Sequence, residues 1–331
     1  MNGSLFPASI TANIENIGYE KMDIQIYSSV SDPDVEKHWR SYFERESVLH
    51  NYELACHVEE AIYEYGSVDV GVIIFREGHV VKGIFPISHE IHDDGRNFWT
   101  YYPSLTFIAG PVTIDLSCWE HLPLVLPRPF LLQESSWKDF DSSLPSWVTP
   151  SPSNVVDISS SSLDDYLASL SKKHRSKLRN CLNRNEDVKV VAGEPVNGEF
   201  TNLKADYHAY CLERYKDSNE LCYFQYQMNI FPAIFQKAQE LGQLIVLRFY
   251  LEEKLVAVNY SIIDNDSVYD YICYRDPSLT SRSLGLFAIL ENIRYIQEHH
   301  PECKYYDLAS EFDYKSKFLN CEKSHAVFTL E

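Results

Sequence analysis

Basic residues are scarce in this sequence of 331 residues, which has 29 lysines and arginines against 48 aspartates and glutamates and a formal net charge of -19 at pH 7. A protein whose main task is to coat nucleic acid or an anionic membrane needs a net basic surface. The composition therefore excludes that class, and any contact with nucleic acid has to be local.

Long apolar runs, paired cysteines and metal-ligand clusters are also lacking. No stretch reaches the roughly 18 apolar residues of a membrane span, and residues 1–6 lack the basic start of a signal peptide. The eight cysteines include no C-x-x-C pair and no Cys/His cluster at zinc spacing. We therefore expect a soluble, cytoplasmic protein with reduced thiols, no metal and no membrane association.

A stretch of proline and serine at residues 149–153 indicates connecting chain between two domains. With 45% apolar residues, a chain of this length can bury two cores. The sequence thus predicts an N-terminal arm over residues 1–20, a first domain over 21–152 and a second domain over 153–331.

The two predicted domains share an order of strand, helix and then a meander of strands between turns, and the first opens with a strand from Asp23 that leads into a helix. Strands are expected at residues 68–75 and 80–87 of the first domain, and at 188–192, 244–250, 256–263 and 268–274 of the second. A helix, a strand, a short helix and a final strand would complete the second domain. This order predicts an α+β fold in which each domain is a mostly antiparallel sheet flanked by helices.

The segment between the last meander strand and the amphipathic helix is suited to phosphate. Ser283 or Ser281 can cap the helix, Gly285 permits close backbone approach, and Arg282 adds positive charge at the helix N-terminus. A structural alternative is that Gly285 only relieves packing where an ordinary helix begins.

A basic helix opens the second domain and stands out in so acidic a chain. It has three interpretations: a solvated face, a clamp on the phosphates of CoA, or a contact for an RNA or an acidic carrier protein. Its cations are Lys172, Lys173, Arg175, Lys177, Arg179 and Arg184.

These motifs together resemble the GNAT acyltransferase superfamily, whose phosphate segment follows Arg/Gln-x-x-Gly-x-Gly/Ala. Arg282 and Gly285 match this pattern, whereas Phe287 stands at the usual last small position. The chain is most similar to the BioF2-like and CelD-like acetyltransferase group, which is related to the FemAB peptidyltransferases. The similarity lies in the basic helix at 171–179 and in the C-terminal segments 306–308 and 314–318. The resemblance covers residues 160–331 and, more faintly, residues 20–150.

The resemblance implies tandem GNAT-like domains, of which the first is a degenerate copy that shapes the acceptor site and the second binds acetyl-CoA or another acyl-CoA. Tyr314 would be the acid that protonates the leaving thiolate, although its ring could equally serve packing. The residues implied in cofactor binding are Arg282, Ser283, Leu284, Gly285, Leu286, Tyr274 and Lys315.

For the base that deprotonates the amine, we expect Glu311 first and Asp307 or Asp276 second, because each lies near a strand end. Asp276-Pro277 is also a common turn sequence, and Glu311 could be part of a solvated loop. A backbone N–H near residues 272–274 would serve the oxyanion, and Cys273 is expected to be a small buried side chain. No histidine is paired with a serine or cysteine, which favours direct attack.

The expected function is transfer of an acyl group from acyl-CoA to an amine of a small molecule or sugar nucleotide. One alternative is a FemAB-like transferase whose donor is an aminoacyl-tRNA or an acyl carrier protein. The other is a GNAT-like binding or scaffold protein without catalysis.

Overall fold

The computed structural model describes residues 12–13, 22–42, 48–65, 70–91, 97–101, 118, 121–125, 130–132, 148–193, 207, 209, 211–212, 221–309 and 314–330. The chain forms two compact units. The first comprises the described residues of 1–151, 217–234 and 324–331, and the second comprises those of 152–216 and 235–323.

The first unit is built on a mostly antiparallel sheet. Its strands are β1 (Ala12–Asn13), β2 (Met22–Tyr27), β3 (Val70–Glu77), β4 (Val80–Ile91), β5 (Asn97–Tyr101), β6 (Phe130–Leu132), β7 (Val148–Pro152) and, from the end of the chain, β14 (Ser324–Leu330). Its helices are α1 (Pro33–Tyr42), α2 (Tyr52–Tyr65), the one-turn 3-10 helix Val48–His50 and the short α3 (Leu122–Val125). The strand order is β1-β2-β3-β4-β5-β6-β14-β7.

The second unit contains a six-stranded sheet in the order β8-β13-β12-β11-β10-β9. The strands are β8 (Val155–Asp157), β9 (Val188–Ala192), β10 (Leu244–Leu251), β11 (Lys254–Asp264), β12 (Ser267–Arg275) and β13 (Tyr305–Asp307). The helices are α4 (Leu163–Ser169), α5 (Lys172–Arg184), α6 (Leu221–Glu240), which also contributes to the first unit, and α7 (Leu284–His299). Short 3-10 helices occur at Pro277–Arg282 and Lys315–Lys317.

The core of the second unit lies between its sheet and the helices α4, α5 and α7. Helix α7 supplies the largest share because its apolar residues recur at the helical period. Burial of such side chains stabilises a fold by about 1.5–3 kcal/mol each. The buried apolar residues of α7 are Leu284, Phe287, Ala288, Ile289, Leu290, Ile293 and Ile296.

The predicted α+β class with mostly antiparallel sheets and flanking helices is confirmed. The meander strands and the basic helix begin and end within a few residues of the predicted bounds. In the predicted N-terminal arm, Ala12–Asn13 forms an edge strand against β2. Among the described residues, no helix has the length and apolarity that crossing a membrane requires.

The final strand lies elsewhere than the pattern indicated. Residues Ser324–Leu330 were expected to complete the second domain, but β14 pairs antiparallel with β6 in the first sheet. The equivalent position beside β13 in the second sheet is taken by β8. Strand pairing between distant segments is decided by which edge is available, and a single strand's composition carries no information about that.

Candidate functional site

Strands β12 and β13 separate in the middle of the second sheet. They pair in parallel only between Ser267–Tyr269 and Tyr305–Asp307, where β13 ends while β12 continues to Arg275. On the other edge of β12, the register with β11 shifts at Tyr271, which is a β-bulge. The strands thus leave an opening in the sheet between Asp270 and Arg275.

Helix α7 begins at this opening. The 3-10 turn Pro277–Arg282 follows β12 and ends at Ser283, which adopts a left-handed conformation with φ of 56° and is the N-cap of α7. The carbonyl of Ser283 accepts the first helical bonds, from the N–H groups of Leu286 and Phe287. The N–H groups of Leu284 and Gly285 precede any intrahelical acceptor, so they lie at the positive end of the helix dipole.

A cavity of about 420 Å³ lies at this helix N-terminus. It brings together the predicted residues Ser283, Leu284, Gly285, Leu286, Asp276 and Tyr314. The remaining lining residues are Arg275, Pro277, Leu279 and Thr280.

Arg275 is a candidate binding residue that the sequence analysis missed. A Cβ placed on Gly285 would overlap Nη1 of Arg275 and lie 3.3 Å from its Cζ, so the guanidinium rests against the glycine at the start of α7. The sequence could have indicated Arg275 because it directly follows the predicted strand 268–274 and stands directly before the turn Asp276-Pro277. Its proximity to Gly285 depends on the angle between β12 and α7, which no motif expresses.

Arg282 has a different position from the one predicted. Its guanidinium forms two hydrogen bonds with the carboxylate of Asp187, at 2.6 and 2.9 Å, and it is absent from the residues that line the cavity. The hydrogen bond to Arg282 lowers the pKa of the Asp187 carboxyl. The geometry therefore gives Arg282 a part in holding the phosphate segment, and direct contact with phosphate stays a prediction.

The end of the basic helix holds the same segment. Arg184 Nη1 donates to the carbonyl of Ser281 at 2.5 Å, and Asn185 Nδ2 donates to the carbonyl of Arg282 at 2.9 Å. The thiol of Cys181 lies 3.7 Å from the carbonyl of Ser283. Helix α5 thus fixes the backbone that precedes α7. The hydroxyl of Ser283 makes no capping hydrogen bond, contrary to one of the two predicted caps.

Asp276 serves the turn after β12. Its carboxylate accepts hydrogen bonds from the backbone N–H and the hydroxyl of Ser278 and pairs with Lys254 Nζ at 2.6 Å. The hydrogen bond from Lys254, followed by that from Ser278, lowers the pKa of Asp276 to about 2. A carboxylate of such low basicity is poorly suited to accept a proton at neutral pH.

Asp307 also has a structural partner. It is buried at the end of β13, and its Oδ1 accepts a hydrogen bond of 2.8 Å from the backbone N–H of Ala309, whose φ is 57°. Neither Asp307 nor Tyr274 lines the cavity, and Tyr274 faces the side of the sheet opposite to Arg275 because strand residues alternate. Glu311, the first choice for the base, lies outside the described residues.

Lys315 is buried instead of facing the cavity. Its ammonium donates a hydrogen bond to the carbonyl of Leu308. The thiol of Cys273, on β12, has its pKa raised to about 11 by burial, which agrees with the expected packing role.

The basic helix α5 is capped by Ser171, whose hydroxyl accepts from the N–H of His174. Besides Arg184, two of its cations contact helix α4: Arg175 Nη1 donates to the carbonyl of Ala168, and Arg179 lies 3.6 Å from Asp164. Its exposed lysines are Lys172, Lys173 and Lys177.

Residues 172–316 match the family model described as Acetyltransferase (GNAT) domain. Aspartate/glutamate leucyltransferases of Campylobacter jejuni are similar to this chain. That of serotype O:6 is 29% identical over 118 residues, which are 35% of this chain and 47% of the relative. The chain thus spans about half the length of the curated relatives it matches.

Solved structures share the fold at low sequence identity. L-PGS of Bacillus licheniformis has a TM-score of 0.50 and 10% identity, over 91% of this chain and 93% of that chain. The C-terminal DUF2156 domain of a candidate lysylphosphatidylglycerol synthetase from Agrobacterium fabrum has a TM-score of 0.50 and 12% identity, over 89% of this chain and 91% of that chain. These likenesses concern the fold alone.

The match begins at the first residue of α5 and ends just after Tyr314, so it includes the separated strands, the phosphate segment, α7 and every residue that lines the cavity. Over residues 172–316, the chain therefore resembles a GNAT acetyltransferase domain.

Proposed function

We propose that the second unit is an acyltransferase that moves an acyl group from acyl-CoA to an amine of a small molecule or sugar nucleotide. The observation that carries the proposal is the cavity at the N-terminus of α7, with Arg275 on one side and Tyr314 on another. It supplies a site for phosphate, space for a donor and a proton donor in one place.

The electrostatics at the helix start favour a phosphate-bearing donor. The guanidinium of Arg275 rests against Gly285, beside the positive end of the α7 dipole. A phosphate group at this position could accept hydrogen bonds from both the guanidinium and the first helical N–H groups.

The chemistry that we propose forms a bond between the amine nitrogen and the acyl carbon and breaks the bond between that carbon and sulfur. Tyr314 gives its phenolic proton to the leaving thiolate, whose basicity is similar to that of a phenolate. A backbone N–H of β12 near Ile272–Tyr274 would donate to the oxyanion.

The amine must lose a proton to a base. Asp276 is engaged with Lys254 and Ser278, and Asp307 with Ala309. Glu311 therefore stays our first candidate for the base, acting directly or through water.

A second candidate function is aminoacyl transfer from tRNA, or acyl transfer from an acidic carrier protein. The exposed lysines of α5 favour it, since either donor would bring negative charge to this helix. The curated relatives, named as leucyltransferases, are consistent with a donor that carries an aminoacyl group.

The test is the melting temperature of the full chain with acetyl-CoA, longer acyl-CoAs, free CoA and tRNA, followed by release of free thiol with an amine acceptor. We expect an acyl-CoA to raise the melting temperature by several degrees through mass action. Gly285→Ala should remove most of the shift, because its Cβ displaces Arg275. Gly193→Ala is the matched control, since its Cβ would lie 3.6 Å from Nη1 of Arg248, an ordinary contact.

Other outcomes of these measurements would support a different function. Salt-sensitive tRNA binding without any shift by CoA compounds would favour the second candidate. If CoA binds but no free thiol is released with any amine acceptor, the protein would be a scaffold. If no donor binds, both transfer functions would be overturned.

A further inference from the structure

Lys315 is buried although it begins a 3-10 turn near the protein surface. Only 4% of the residue is exposed, whereas Ser316 is exposed and Lys317 partly so. Its ammonium donates to the carbonyl of Leu308, which directly follows β13. This hydrogen bond joins the two ends of the connection between β13 and the turn Lys315–Lys317.

Asp270 lies within electrostatic range of the Lys315 ammonium. Burial raises the pKa of its carboxyl, and the nearby ammonium of Lys315 opposes that effect. The carboxylate accepts a hydrogen bond of 2.7 Å from Asn259, and Asn292 joins Asn259 to the hydroxyl of Tyr306. The network links β11, β12, α7 and β13, so the position of Asp270 is fixed from several sides.

Asp270 and Lys315 are each close in sequence to residues that border the opening or the cavity. Asp270 directly follows Tyr269, the last residue of β12 that pairs with β13, so it lies where the strands separate. Lys315 directly follows Tyr314, which lines the cavity. The other end of the segment is held by Phe318, whose carbonyl accepts a hydrogen bond of 2.6 Å from the hydroxyl of Tyr166.

We propose that Lys315 is a positioning residue, which acts with Asp270 to hold Tyr314 at the donor cavity. Lys315 attaches the chain beside Tyr314 to the end of β13 through Leu308, and its ammonium acts electrostatically on Asp270, which precedes the bulge residue of β12. Lys315, which was predicted to bind the cofactor, thus positions Tyr314 from a buried site. The kinetic part of this inference rests on the proposed acyltransferase function.

The kinetic test compares Lys315→Met, Tyr314→Phe and the double variant. Methionine keeps the length of the side chain but has neither the charge nor the donor. We expect Lys315→Met to lower kcat about tenfold, as a displaced acid would, with the donor Kd within about twofold of wild type. In the Tyr314→Phe background, Lys315→Met should lower kcat no further. Lys317→Met, in the same turn, is the matched control and should leave kcat unchanged.

A second measurement needs no activity. Amide hydrogen exchange over residues 314–318 should become about tenfold faster in Lys315→Met and in Asp270→Asn, and stay at the wild-type rate in Lys317→Met. The double variant Asp270→Asn/Lys315→Met should recover part of the melting temperature that each single variant loses, because the charge that each single variant leaves at this site is then removed as well.

The inference is overturned if Lys315→Met lowers kcat by the same factor with and without the Tyr314 hydroxyl, or if exchange over residues 314–318 does not change. A wild-type protein that transfers no acyl group from any donor would instead refute the proposed function. The exchange and recovery experiments would still decide whether Lys315 and Asp270 hold the segment.

Discussion

The two sheets have the same strand arrangement over most of their width. In the first, β2, β3, β4 and β5 are successively antiparallel, β6 is parallel to β5, and β14 is antiparallel to β6. In the second, β9, β10, β11 and β12 are antiparallel, β13 is parallel to β12, and β8 is antiparallel to β13. The likeness extends to the middle hairpins, which both have two-residue loops and a bulge close to the loop.

The units differ where the second sheet separates. The β11–β12 pair has a bulge at Tyr271, whereas β4 and β5 pair without a register shift between Ile87–Ile91 and Asn97–Tyr101. Between the parallel strands, the second unit has the 16-residue helix α7, and the described part of the first has the four-residue α3. Among the described residues, the candidate site thus lies where a long helix begins beside the end of a strand.

The largest expected effect tests whether chemistry belongs to the second unit only. Tyr314→Phe should lower kcat about 100-fold with the donor Kd unchanged, since its proton is needed only in the transition state. Steady-state kinetics and donor titration measure both. The matched change in the first unit is Tyr27→Phe, whose hydroxyl donates to Gln25 at 2.6 Å. Equal losses in the two variants would remove the functional difference between the units.

A smaller effect is expected from the pair that holds the phosphate segment. Arg282→Ala and Asp187→Ala should each weaken donor binding about tenfold, because either change releases the backbone before α7. Isothermal titration with the donor provides the comparison. Unchanged or tighter binding by Asp187→Ala would mean that Arg282 binds phosphate directly. Arg76→Ala, in the first unit, is the control.

The hairpin loops allow an exchange between the units. The first loop residue is left-handed in both, Gly78 with φ of 60° and Glu252 with φ of 54°, and a side chain at Gly78 would meet nothing within 4 Å. Gly78→Glu should therefore destabilise the protein, and Glu252→Gly should stabilise it, by about 1 kcal/mol each. Urea unfolding measures the two changes, and changes of the same sign would contradict this account.

The smallest expected effect concerns acid stability. The pKa of Asp276 falls from 3.8 to about 2 on folding, mainly through Lys254, so its stabilisation is present above pH 4 and is lost as the pH falls towards 2. Because Lys254 is exposed, screening limits the contribution to about 1 kcal/mol. The difference in unfolding free energy between wild type and Asp276→Asn should shrink between pH 6 and pH 2. A constant difference would show that the pair does not stabilise the turn.

Much of the fold followed from local pattern. The meander β10–β12 was predicted because its apolar residues lie between recognisable turns. The predicted cluster of Ser283 to Leu286 with Tyr314 does lie around one cavity. Neighbours in sequence at the start of a helix stay neighbours in space, which makes such a cluster predictable.

Other assignments depended on distant contacts. The partner of Arg282 lies 95 residues away in the chain, and Arg275 reaches Gly285 only through the packing of α7 on the sheet. Charge suggested that Arg282 would bind phosphate, but charge does not reveal which cation already has a carboxylate beside it.

The sequence by itself determined the basic helix, the strands of the meander and the segment at which a helix N-terminus could receive phosphate, because these depend on periodicity and turns within a few residues. Only the tertiary structure decided that β14 joins the first sheet, that Arg275 lies at the helix start and that Lys315 is buried and donates to the carbonyl of Leu308. Each of these outcomes depends on contacts between residues that are far apart in the sequence. Such contacts form only when the whole chain packs.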